Sequence, residues 1–421
     1  MNRATVSQNV AVSPPPHNYQ SKNLKSTVDQ LAALGGDPLY EQPLHVGSPN
    51  LPPRDSLYAA IDRILDNRWL TNNGEMVQAF EQRICDMLGV RNCVATVNGT
   101  AGIEIAIRAA ELTGEIILPS FTFIATAHAA AWLGLNPIFC DVDPATHNID
   151  PALIESLITE RTSAIMAVHV WGRPCALDQL AEVSARHGLH LLYDAAHAFG
   201  CSVGTRPIGN FGNAEIFSFH ATKFVSCFEG GAVVTNDDAY ADRMRLMRNF
   251  GFSGKDNIVE LGINAKLSEV CAAMGLCSLD IMPDIVAQNR QNYEDYKAQL
   301  STVPGITPID YAAGSENNYQ YVVAEVDPER YGMDRDTLVA LLDAERIFAR
   351  RYFYPGCHQA EPYIGSQVWE LPHTEALASR VISLPSGLNT KRQDITRVSQ
   401  LIRFLQQNAA EINQALEEGG G

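Results

Sequence analysis

Lys223 stands in Ile216 to Asp237, "IFSFHATKFVSCFEGGAVVTND", between two strand-like runs. Its neighbours Ala221, Thr222, Phe224 and Val225 are small or apolar. Such surroundings disfavour an ammonium, lower the lysine pKa and leave a neutral amine able to form a Schiff base. Asp194 closes another apolar run in "YDAAHAFG". A buried carboxylate needs a positive or protonated partner, and a cationic heteroaromatic ring would be one. His197 follows one turn on. Asn98-Gly99-Thr100-Ala101 opens a helix, whose first N–H groups and dipole favour a phosphate. "PSFTF" adds Phe121 and Phe123. Taken singly, each has an ordinary explanation: a solvated loop lysine, a helix cap, a structural histidine, core aromatics. Taken together, an amine nucleophile, an acid, a phosphate cradle and an aromatic are the parts that pyridoxal 5′-phosphate (PLP) requires.

The elements that must position these groups are legible from residue 94 onward. "CVATVN" reads as a strand and "GTAGIEIAIRAAEL" as a helix. "EIILPS", "PIFCDVD", "TSAIMAVHV" and "LHLLYDAA" are further strands, separated by helical segments such as "ALDQLAEVSARHG". The strands are continuous apolar runs, as expected where both faces of a sheet are covered. The alternation predicts an α/β fold with a mostly parallel mixed sheet covered by helices. Ligands of such sheets bind beyond the carboxyl ends of the strands, where the candidate residues fall. After "NRQNYEDYKAQL" the texture changes to that of a smaller α+β unit. The expected organisation is a flexible N-terminal arm over 1–35, a large cofactor-binding domain over 36–285 and a small C-terminal domain over 286–421.

Composition narrows the partners. A formal net charge of −17 over 421 residues disfavours a nucleic-acid backbone. The nine cysteines contain no C-x-x-C pair and read as reduced thiols in a cytoplasmic protein, not a disulfide framework or a metal site. No apolar stretch reaches the length of a membrane span, and the N-terminus lacks a secretory pattern.

With these residues in place, the sequence is similar to the DegT-type sugar-nucleotide aminotransferases, a branch of the fold-type I PLP enzymes. "SFHATK", "EGGAVVTND", "RWLTNNG", "NGTAG", "LPSFTFIATA", "DVDPATHNIDP", "YDAAHAFG" and "GINAKLSE" carry the resemblance. It implies that Lys223 holds the cofactor aldehyde and shuttles protons, and that Asp194 pairs with the pyridine nitrogen. It implies that Gly99, Thr100, Ala101 and Ser218 bind the phosphate, that Phe123 stacks on the ring, and that His197 lies near the ring oxygen where many relatives have Gln. It further implies a homodimer with shared sites, Asn264 reaching the partner's phosphate. L-Glutamate is the implied donor and a nucleotide-linked keto-sugar the acceptor. Trp69, Leu70, Thr71, Asn72, His220, Arg350, Tyr352 and Tyr354 are expected on the substrate side.

"PLHVGSPNL", "VHVWGRPCA", "YPGCH" and "LPHTE" resemble the branch that aminates dTDP-4-keto-6-deoxyglucose at C4. Amination at C3 of a dTDP-3-keto-sugar is the alternative that spacing leaves open, and a non-catalytic PLP-binding regulator is another. A dehydratase-type relative would carry His in place of Lys223. A nicotinamide enzyme would need a G-x-G-x-x-G after an early strand, and there is none.

Overall fold

The computed structural model describes residues 24–365 and 368–419. Residues 1–23, most of the expected arm, lie outside the described residues. The centre is a seven-stranded sheet of β1 (Asn92–Thr96), β2 (Glu115–Pro119), β3 (Asn136–Cys140), β4 (Thr162–Val168), β5 (His190–Asp194), β6 (Ala214–Ser218) and β7 (Gly231–Thr235). The spatial order is β1-β7-β6-β5-β4-β2-β3. β7 alone runs against its neighbours; the β2–β3, β2–β4, β4–β5 and β5–β6 pairs are parallel.

Side-chain alternation divides each strand between two apolar cores. Cys93, Ala95, Ile117, Ile165, Leu191 and Phe217 face one layer of helices. Val94, Ile116, Leu118, Met166, Leu192 and Ile216 face the other. Both faces are covered, so the strands are largely apolar. The carboxyl ends of the parallel strands gather at one edge, and there the chain leaves the sheet into the loops that carry the candidate residues.

A third core joins Tyr293, Tyr296 and Leu300 to the antiparallel strands Val322–Val326 and Val381–Leu384 and to the C-terminal helices. Two features differ from the expected division. The Met282–Leu300 helix runs continuously across residue 285, with Ile285 in the first core and Tyr296 in the third. Val28, Leu31, Leu39, Tyr40 and Leu44 also pack into this C-terminal core, so the segment 28–44 joins the C-terminal unit. The reason is polar as well as apolar. Buried Glu345 accepts the N–H groups of Ala32 and Leu39 at 2.8 and 2.7 Å and pairs with Lys25 at 3.1 Å. All nine cysteines are free thiols. No single helix among the described residues is long and apolar enough to cross a membrane.

Candidate active site

The first strand to reach the site is β1. Asn98 follows it and caps the Gly99–Ala109 helix, its Oδ1 accepting the Ala101 N–H at 2.8 Å. The Ala101 N–H, also expected at the phosphate, is held by this cap. Among the described residues the Gly99 and Thr100 N–H groups have no protein acceptor, and both residues line a cavity of about 350 Å³. Ser218, at the end of β6, lines it beside them. A Cβ at Gly99 would lie 3.2 Å from the Ser218 Cβ, so the helix approaches the strand end closely only because this residue has no side chain. Two unpartnered amides at a helix N-terminus, with a hydroxyl opposite, fit a phosphate monoester.

Asp194 ends β5 at the floor of the cavity and is buried. Its Oδ2 accepts the Thr126 hydroxyl at 2.7 Å and its Oδ1 the Ala196 N–H at 3.1 Å. Thr126 is a site residue that sequence reasoning missed. Its only signal was a hydroxyl inside the apolar run "FIATAHAAAW".

Lys223 lies in the loop between β6 and β7 and is half-buried at the cavity wall. The loss of hydration lowers its pKa from 10.5 to about 8, against the opposing charge of Asp194. An amine of that pKa is neutral for a useful fraction of the time at physiological pH.

His197 is buried, and the Trp171 N–H donates to its Nδ1 at 3.3 Å. Burial first, then the neighbouring Lys223 charge, holds its pKa well below the ordinary histidine value. The neutral ring therefore carries its proton on Nε2, available to donate to a ligand oxygen. The ring lies parallel to Phe353 at 5.5 Å and edge-on to Tyr321 at 5.0 Å. Phe353 and Tyr321 also line the cavity, and sequence reasoning missed both. They come from the C-terminal part of the chain and carried no local signal. Phe123 is 57% exposed, with its ring open to the cavity. His220 and Tyr352 complete the expected residues that line this space.

The other expected residues are elsewhere in the single chain. Trp69, Leu70, Thr71 and Asn72 form an exposed loop, held where the Leu70 carbonyl accepts the Glu269 N–H at 3.1 Å. Asn72 lines a second cavity of about 380 Å³ with Arg245, Arg248 and Lys266. Asn264 is exposed and accepts from Lys266 Nζ at 2.7 Å, so it does not reach the phosphate cradle of its own chain. Arg350 is held in an antiparallel bridge with Ser383. The Tyr354 ring is covered by the Arg335 and Arg351 guanidinium groups, centred 5.2 and 4.6 Å away. Neither lines the Lys223 cavity.

An amine of lowered pKa, a buried carboxylate, an open aromatic face and an anion cradle thus share one space. The sequence pattern of the DegT/DnrJ/EryC1/StrS aminotransferase family matches residues 54–403. The chain belongs to this family. It is 38% identical over 347 residues to the dTDP-4-amino-4,6-dideoxy-D-glucose transaminase of Shigella dysenteriae, covering 82% of this chain and 94% of that one. It is 31% identical over 359 residues to the GDP-perosamine synthase of Caulobacter vibrioides (strain ATCC 19089 / CIP 103742 / CB 15), covering 84% and 96%. DesI, crystallised in the presence of its TDP-sugar product, superimposes with a TM-score of 0.90 at 49% identity, covering 92% of this chain and 99% of DesI. The protein is therefore a sugar aminotransferase, of a family that is PLP-dependent in general.

Proposed function

We propose that this aminotransferase moves the amino group of L-glutamate to C4 of dTDP-4-keto-6-deoxyglucose, using PLP held at Lys223. The observation that carries the substrate is the likeness to the Shigella transaminase, whose name places the amino group at C4 of a dTDP-linked 4,6-dideoxyglucose. The similarity to DesI, a protein with a TDP-sugar product, supports the same nucleotide. The likeness to a GDP-perosamine synthase is the reason the base needs its own test.

When bound, PLP supplies an electron sink for the pair left when a proton leaves the carbon bearing the amino group. Asp194, buried at the cavity floor, would hold a proton on the pyridine nitrogen and keep the sink cationic. The Lys223 amine, once released from the cofactor aldehyde, would take the proton from the donor's α-carbon and deliver it to the cofactor carbon that has received the nitrogen. In the second half it does the reverse with the sugar. Gly99 and Thr100 N–H groups and the Ser218 hydroxyl hold the phosphate. The Phe123 face would orient the ring, and His197 Nε2–H would donate to its oxygen. These fixed groups supply the orientation that makes proton transfer effectively unimolecular.

A homodimer with shared sites is part of this proposal. Asn264, Trp69 and Leu70 are exposed and away from the cavity of their own chain. Ile258, Val259, Leu261 and Ile263, next to Asn264, are large apolar side chains open to solvent in the single chain. A second copy seated there would bury them and carry Asn264 to its neighbour's cradle.

The deciding experiment offers the enzyme dTDP-4-keto-6-deoxyglucose, its 3-keto isomer and the GDP-linked counterpart, each with L-glutamate, and reads product regiochemistry by NMR. The 4-keto dTDP-sugar is expected to show the highest kcat/KM. A higher value for the 3-keto isomer rejects the C4 assignment, and a higher value for the GDP-sugar rejects the base.

A further inference from the structure

The Glu75–Leu88 helix follows the exposed Trp69–Asn72 loop and has no side-chain cap at Gly74. Its cap is Glu269, 193 residues beyond Met76. Glu269 Oε2 accepts the Met76 N–H at 2.7 Å, and Oε1 makes a longer contact with the Val77 N–H at 3.4 Å. The carboxylate is buried, and the free N–H groups and positive dipole end of the helix offset its charge. Gly74 permits this approach, since a Cβ there would lie 2.6 Å from Glu269 Cδ. The Glu269 N–H donates in turn to the Leu70 carbonyl at 3.1 Å, so one residue holds the chain at both Leu70 and Met76. Between those points Asn72 and Asn73 take left-handed backbone, with φ of 65° and 60°, a shape that asparagine accepts but that needs support. Arg248 supports it, donating to Asn73 Oδ1 at 3.0 Å, to the Ala95 carbonyl at 2.8 Å and to Glu81.

The same anchor carries Asn264. Asn264 forms an antiparallel bridge with Asn249, and Lys266 one with Thr96 at the end of β1. The Ala265 N–H donates to the Arg248 carbonyl at 3.0 Å. The stretch from Asn264 to Glu269 is therefore a short rail tied to the sheet edge. Asn72 and Lys266 line one cavity, and Lys266 Nζ donates to Asn264 Oδ1 at 2.7 Å, so the loop and Asn264 open onto one face. Neither the loop, nor Asn264, nor Glu269 lines the Lys223 cavity of its own chain.

We infer that Glu269 is a positioning residue that acts across the dimer interface. Its buried carboxylate holds the Trp69–Asn72 loop in register with Asn264, so that both enter the neighbouring subunit's active site as one piece. A change at Glu269 then damages the neighbour's site and leaves the Lys223 cavity of its own chain built. The inference rests on the shared-site reading above.

The test is subunit mixing in the full-length, PLP-loaded enzyme. Glu269→Gln keeps the shape of the side chain but turns an amide NH₂ toward one of the two helix N–H groups. Alone it is expected to lose roughly tenfold to a hundredfold in kcat/KM with the keto-sugar nucleotide that wild type aminates best, the loss of one hydrogen bond to a charged group. It is then mixed in equal amounts with Lys223→Ala and allowed to exchange subunits. One site of the hybrid dimer carries both changes and the other neither, so about a quarter of wild-type activity should return. Were Glu269 to serve its own chain, every site that keeps Lys223 would be defective, and the mixture would show about half the activity of Glu269→Gln alone. That outcome, or near-wild-type activity of Glu269→Gln by itself, overturns the inference. A general loss of stability would spoil the Lys223 site of the same chain and give no recovery, so the readout separates positioning from a merely structural role. Gly74→Ala is the second variant and decides the matter if Glu269→Gln does not fold. The φ of −77° at Gly74 suits alanine, and the added Cβ displaces the carboxylate with Glu269 itself intact, so the same recovery with Lys223→Ala is expected. The control is the mixture of Lys223→Ala with Asn264→Asp. If subunits exchange there without recovery, the shared-site reading fails; if that control recovers and the Glu269→Gln mixture does not, the inference about Glu269 fails.

Discussion

Replacing Asp194 by Asn should separate catalysis from folding. Asp194 makes two hydrogen bonds, from Thr126 Oγ1 at 2.7 Å and from the Ala196 N–H at 3.1 Å. An amide keeps both. Its oxygen accepts from Ala196, and its NH₂ donates to Thr126 Oγ1, whose own proton turns to Thr122 Oγ1, 3.0 Å away. The folded state should therefore lose no more than about 1 kcal/mol, whereas Asp194→Ala strands both donors at roughly 1–3 kcal/mol each. The chemistry has no such compensation. A neutral amide cannot hold a proton on the pyridine nitrogen, and loss of that buried charge pairing is on the order of 3–5 kcal/mol, a fall of roughly two to four decades in turnover. The assay is the glutamate half-reaction, read by cofactor absorbance, with thermal unfolding measured alongside. A second signature comes from Lys223. Asp194 is the group that raises the lysine's pKa against burial, so its neutralisation should move the midpoint of PLP uptake by the apoenzyme below its wild-type position near 8. Near-wild-type turnover with an unmoved midpoint would refute the role given to this carboxylate. A variant that loses activity because it has unfolded would refute the hydrogen-bond compensation instead.

Three further outcomes test the rest of the site. In the wild-type apoenzyme the rate of PLP uptake should rise as pH increases through about 8, since the folded pKa of Lys223 lies below its ordinary 10.5 and the amine becomes neutral on the alkaline side. The apoenzyme's stability should rise over the same window, from about 8 to 10.5, because there the unfolded chain binds the extra proton. A midpoint near 10.5, or borohydride trapping of the cofactor on another lysine, would remove Lys223 from its place. For the shared site, mixing inactive Lys223→Ala with inactive Asn264→Asp should restore part of the activity, one site of the hybrid dimer being free of both changes. Subunit exchange without recovery would show that Asn264 serves its own chain.

Much of the site was legible because its parts are local. Each of Gly99, Thr100, Asp194, Ser218 and Lys223 sits where a strand-like run stops, and a parallel sheet brings strand ends to one edge whatever the loops do. The apolar runs announced a sheet covered on both sides, and the two cores on its faces are the physical result. Local pattern also set the limits. The Ala101 N–H, expected at the phosphate, donates to Asn98 Oδ1, and whether Asn98 turns back onto it is a rotamer choice that residue types alone leave open.

What only the tertiary structure decided is everything that depends on distance between remote segments. Tyr321 and Phe353 carry no local sign of a site and enter it because the C-terminal segment folds back over β2 and β5. Tyr354 has the look of a ligand contact but spends its ring on Arg335 and Arg351, charges that reach it through space. Residues 28–35 read as part of an arm by composition, yet Val28 and Leu31 are core, where Glu345 supplies the acceptor for the Ala32 N–H. Sequence determined which chemistry was possible, since pKa and hydrogen-bonding capacity are properties of residue type and immediate surroundings. Three-dimensional packing decided which of the candidate groups meet, because burial and contact are set by neighbours hundreds of residues away.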